Sequence, residues 1–75
     1  MLDINTAKIV KAAIKKELKI DLPLHDVCRM QPIPTHERGG YTILAMQWGD
    51  LTILVWVWVD ENGCVRVTRV QRVSW

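Results

Sequence analysis

The segment "LTILVWVWVD", Leu51 to Asp60, decides the fold, because both of its sides are apolar. A strand shows alternate residues to opposite sides. One side here carries Leu51, Ile53, Val55, Val57 and Val59, and the other carries Thr52, Leu54, Trp56 and Trp58. A chain of 75 residues is one domain with one core. One side of this strand fills that core, and the other needs a different cover.

Strands extend outward from it in both directions. Tyr41 to Trp48 precedes it, joined by the two-residue turn Gly49-Asp50, which belongs to the primed type and sets the register. Trp48 then lies opposite Leu51, Leu44 opposite Val55, Ile43 opposite Trp56 and Tyr41 opposite Trp58. On the far side, "DENG" at residues 60 to 63 reads as a type I turn with Gly63 left-handed as a bulge, followed by a strand from Cys64 to about Val73. Val59 then meets Val65, Val57 meets Val67, Trp58 meets Arg66, Trp56 meets Thr68, Leu54 meets Val70 and Thr52 meets Arg72. A slip of one residue would move Arg66 among the aliphatic side chains, which excludes the shorter and longer turns.

This register sorts the sheet into a core face and a tryptophan face. Leu44, Met46, Trp48, Leu51, Ile53, Val55, Val57, Val59, Val65 and Val67 share the core face. Tyr41, Ile43, Leu54, Trp56, Trp58, Arg66, Thr68, Val70 and Arg72 share the tryptophan face, together with Ala45, Gln47 and Thr52. Trp58 beside Arg66 makes a natural cation–π pair. Arg69 falls on the core face opposite Val55.

The core face needs a helix, and residues 5–20 supply it. At about 100° per residue, Ala7, Ile9, Val10, Ala13, Ile14, Leu18 and Ile20 fall on one half of the wheel and five lysines on the other. Asn5 or Thr6 caps the start, and Pro23 stops the helix. Glu17 intrudes on the apolar arc, so a Glu17–Arg69 pair at the helix–sheet seam would match the two misplaced charges. Residues 21–40 form a long connection whose three prolines and paired glycines argue against helix or central strand. Leu22, Leu24, Val27, Met30 and Ile33 are available there to pack, and Asp26 to Met30 has room for a short edge strand. The expectation is an α+β single domain over residues 1–75. An N-terminal helix packs on a three-stranded antiparallel meander (41–48, 51–59, 64–73), with that short edge strand as an addition.

Composition narrows the function. Charged residues are 24% and hydrophobic ones 49%, with a net charge of +2, which describes a globular chain that could meet a polyanion without requiring one. No apolar run approaches the ~20 residues of a spanning helix, and no secretory signal is evident. The reading is therefore cytoplasmic, with no membrane partner and with Cys28 and Cys64 reduced. His25, Cys28, His36 and Cys64 could in principle ligate zinc, but they lack the paired-cysteine spacing. Cys28 beside either histidine lacks any means of building an oxyanion hole. There is no phosphate-binding loop and no dinucleotide fingerprint. The expectation is a non-enzymatic module with no metal and no cofactor.

What covers the tryptophan face then becomes the functional question. The 21–40 connection could fold across it. Bases of a single-stranded nucleic acid could stack on Trp56, Trp58 and Tyr41 while Arg66 and Arg72 hold phosphates. A second copy of the chain could pack on it. The last is favoured, because Trp, Tyr and Arg are the residues enriched at interface hot spots. The expected partner is a protein, most simply in a homodimer, and nucleic acid is the alternative.

Overall fold

The computed structural model describes residues 2–33 and 41–74. The element order is α1 (Ile4–Leu18), α2 (Leu24–Val27), β1 (Gln31–Ile33), β2 (Tyr41–Trp48), β3 (Leu51–Val59) and β4 (Val65–Ser74). The strands form one four-stranded antiparallel sheet in the order β1-β2-β3-β4. This is the expected α+β fold with its N-terminal helix on a meander, and the extra edge strand exists. Among the described residues no helix is long and apolar enough to cross a membrane.

α1 starts earlier than its sequence suggests. Asp3, not Asn5 or Thr6, is the N-cap, and its carboxylate accepts a hydrogen bond from the Thr6 N–H at 3.3 Å. Hydrogen bonding from Thr6 holds the Asp3 carboxyl below its usual value. The helix ends at Leu18, where Lys19 turns left-handed (φ 61°) and donates its N–H to the Lys15 carbonyl at 3.0 Å. Pro23 is therefore not the terminator. Its carbonyl instead accepts from the Asp26 and Val27 N–H groups and so opens α2. This short helix lies where the prolines argued for none. A proline just ahead of a first turn, with Leu24, Val27 and Cys28 at helical spacing after it, is the signal that was available. β1 then falls at Gln31–Ile33, not Asp26 to Met30. Pro32 is tolerated within it because β1 is an edge strand, where a missing N–H can face away from the ladder.

The core is built from both helices and the linking residues. Ala7, Val10 and Ile14 of α1 join Leu22, Val27 and Met30 from the connection against Leu44, Ile53, Val55 and Val57 of the sheet. The described part of the connection thus feeds the main core. Trp48 and Val59, expected on the same face, are 38% and 41% exposed because they sit at opposite ends of the sheet. The strands run about 30 Å and a 15-residue helix covers about 22 Å of that. Ile9, expected on the apolar arc, is also exposed, since the arc that docks is centred on Ala7, Val10 and Ile14.

Candidate protein-interaction face

The β2–β3 register is the one the sequence predicts throughout, with Trp48 opposite Leu51 and Tyr41 opposite Trp58. Gly49 has φ 61° and Asp50 no positive φ, which makes the turn type II′. The β3–β4 turn also forms as expected. Gly63 is left-handed at φ 81°, its N–H reaches the Asp60 carbonyl at 3.0 Å, and the Asp60 N–H meets the Cys64 carbonyl at 3.0 Å. The Asp60 carboxylate adds two bonds, accepting from the Asn62 and Cys64 N–H groups at 2.9 Å each.

Beyond Val67 the register departs from the expectation. Val57 still faces Val67, but Trp56 faces Arg69, so Thr68 is the extra residue of a bulge. Its hydroxyl donates to the Trp56 carbonyl at 3.3 Å. Every later residue changes side. Val70 lies opposite Val55 on the core face and packs against the core, and Arg72 lies opposite Ile53. Neither belongs to the tryptophan face, where uninterrupted alternation would place them. Arg69, Gln71 and Val73 take those positions, opposite Trp56, Leu54 and Thr52. The cause is visible in the valine spacing: Val65 and Val67 are two apart, Val67 and Val70 three apart. One additional residue keeps all three aliphatic side chains on the core side.

The bulge also disposes of the Glu17–Arg69 pair. Both residues line one crevice between α1 and β4, yet among the described residues Glu17 makes no ion pair. The Arg69 guanidinium instead sits 4.9 Å from the centre of the Trp56 ring, a cation–π contact. The expected pairing of Trp58 with Arg66 holds as a register position.

Across the four strands the tryptophan face forms a grid. Its middle row is Ile33, Ile43, Trp56 and Arg69, one residue from each strand. The row toward the Asp60 turn is Tyr41, Trp58 and Arg66, with Tyr41 placed by its backbone pairing. The row on the other side is Gln31, Ala45, Leu54 and Gln71. Ile43, Ala45, Leu54, Trp56 and Trp58 are half-buried, covered by their neighbours in the sheet, whereas Ile33, Arg66, Thr68 and Arg69 are exposed. None of these reaches the burial of the opposite face, where Ile53 and Val55 are fully enclosed. Buried side chains of both helices and of the linking residues Leu22 and Met30 pack on that other side, while Asp26 and Arg29 border a crevice shared with Gln31, Ile33, Ala45, Gln47 and Thr52. The remainder of the connection, 34–40, falls outside the described residues, and so does His36.

Chemically the grid offers aromatic and aliphatic surface with cations along the β4 edge. Among the described residues no cluster of three or more His, Cys, Asp or Glu side chains could hold a metal ion. Cys28 and Cys64 are free thiols, the first half-buried and the second exposed. Compared with known proteins, the chain matches no family model, no curated protein and no solved structure.

Proposed function

We propose that this protein is a non-enzymatic interaction module that pairs with a second copy of itself through the tryptophan face. One observation carries the proposal. Among the described residues, the buried side chains of α1, α2, Leu22 and Met30 pack on one side of the sheet, and on the other side Trp56 and Trp58 are half-buried. Burying the remaining apolar area of such half-buried rings is favourable in proportion to the area removed from water, which supports reading this face as an interaction surface.

The dimensions suit a modest symmetric interface. Strands about 4.8 Å apart and rows about 6.8 Å apart, with Gln47, Thr52 and Val73 as a fourth row, give fourteen positions and a flat footprint of about 460 Å² per copy, about 900 Å² for the pair. That lies just below the lower limit of specific interfaces, about 1,000–1,200 Å², before side-chain relief adds to it. Sheets packed face to face would interdigitate the middle row, with the arginines at the rim. A reducing cytoplasmic setting is part of the same reading and accords with the two free thiols.

A second reading has its own observation. Arg69 placed over Trp56 is the combination that single-stranded nucleic-acid platforms use, with bases stacking beside a cation. Solution mass measured by sedimentation from micromolar to millimolar protein separates the two. Self-association gives a mass that doubles with concentration and is insensitive to a single-stranded oligonucleotide. A mass that stays monomeric overturns the dimer, and salt-sensitive binding of a single strand by that monomer would favour the second reading.

A further inference from the structure

The outer side of α1 presents a different surface, and it does not rest on the dimer. Lys8, Lys15, Lys16 and the C-cap residue Lys19 are all exposed and fall within an arc of about 100° on the outer part of the helical wheel, with Lys16 at the edge nearest β4. The carboxylates nearby are accounted for. Glu17 lines the crevice facing β4, and Lys16 borders the same crevice, while among the described residues the two form no ion pair. Asp21 accepts a 2.6 Å hydrogen bond from the Lys11 ammonium, and the charges of Lys11 and Lys15 further lower its pKa. Lys11 is thus occupied, and among the described residues the other four form no ion pair.

We infer that this face binds the phosphate backbone of a duplex nucleic acid without reading its sequence. From Lys8 to Lys19 the cations extend about 16 Å along the helix axis. A duplex carries one negative charge per ~1.7 Å, so that length of linear polyanion presents more than enough phosphates for four lysines. Lysine is a flexible point charge that contacts phosphate, and contacts to phosphate position a protein without specifying bases. α1 has no aromatic residue, which argues against a single strand, whose bases need a stacking surface. The exposed isoleucines decide against a bilayer. Ile4 and Ile9 flank the lysine arc on either side, so a helix lying on lipid would press its charges down and insert nothing apolar.

The test is fluorescence anisotropy of a labelled duplex of about twelve base pairs, titrated with the whole protein between 50 and 200 mM salt (on the order of the range that exposes counterion release). In a face-to-face dimer the two α1 helices point away from each other, so one rigid duplex meets one helix and the state of the tryptophan face does not alter the result. The expected slope of log K against log salt is about −3.6, from about 0.9 for each of the neutralised phosphates. Replacing all four lysines with glutamine, which keeps helix propensity, should abolish that slope, and Lys15→Gln alone should reduce it by about 0.9. No binding at the lowest salt overturns the inference, as does a slope unchanged in Lys15→Gln. Loss of binding in Arg66→Gln with Arg69→Gln, but not in the lysine variants, transfers it to the tryptophan face and is equally fatal. Lysine-dependent adsorption to anionic vesicles without duplex binding would show that the occupant is lipid and overturn the duplex.

Discussion

Leu54→Lys tests the tryptophan face without endangering the fold. Leu54 stands on β3 between Ala45 and Gln71, one row from the middle of the grid, and is half-buried in the single chain. In the monomer, lysine at this position lays its methylenes over the same neighbours and carries its ammonium into water, so the change costs at most about 1 kcal/mol. In a two-fold dimer the same ammonium is trapped. The face is about 19 Å wide and a lysine side chain reaches about 6 Å, which does not clear the rim from a central strand. Two uncompensated charges would be desolvated at several kcal/mol each, beside about 1–2 kcal/mol of lost leucine burial over both copies. The sum exceeds about 4 kcal/mol, which weakens association by a factor of about 1,000 or more. Sedimentation velocity reads the association, and far-UV circular dichroism with urea denaturation reads the monomer. A variant that dimerises like the parent refutes the reasoning, because it would show that Leu54 stays wet in the assembly. So would a variant that fails to fold, because it would show that the face is already an internal core.

Three other expectations rest on particular residues. Gly63→Val should destabilise by about 1–2 kcal/mol in urea denaturation; a Cβ there meets nothing within 4 Å, so the loss reports the left-handed backbone alone. Val70→Asp should destabilise by about 1–3 kcal/mol while Arg72→Asp stays within about 0.5 kcal/mol; equal effects would mean that the bulge at Thr68 does not form. Asp3 and Asp21 have folded pKa values below their ordinary ones. Their stabilisation is therefore complete above about pH 4 and is lost as pH falls through the lower folded values, and Asp21→Asn should flatten that acid limb in denaturation curves from pH 2 to 6 (spanning roughly the carboxylate range).

The parts of the fold that the sequence disclosed are those where hydrophobic period and turn chemistry agree. The β2–β3 pairing comes from Gly49-Asp50 and two alternating strands, and the β3–β4 turn from Gly63 after Asp60. The connection is harder to read because its prolines carry opposite meanings. Pro23 opens a helix, Pro32 sits in an edge strand, and neither marks the irregular loop that proline density suggests. The helix start is displaced for a simpler reason: Asp3 competes with Asn5 and Thr6 for the cap, and all three are good caps.

The candidate site is legible on β2 and β3 and obscured on the distal half of β4, and one residue explains both. Extending strict alternation past Val67 puts Arg69 among aliphatic side chains and Val70 in the open. A charge facing Val55 would have to be desolvated or paired, for which the sequence offers Glu17 on the apolar arc of the helix. Inserting Thr68 costs the sheet a local irregularity and moves the charge away from Val55: Val70 joins the core, Arg69 lies over Trp56, and Arg72, now opposite Ile53, stays exposed. The bulge also bends β4, which is an edge strand of ten residues and would otherwise offer a long regular ladder to another chain. Open pairing along that edge builds fibres, whereas stacking on the tryptophan face closes after two copies. A bulge that interrupts the edge while aiming a cation at the central ring therefore favours the closed assembly over the open one.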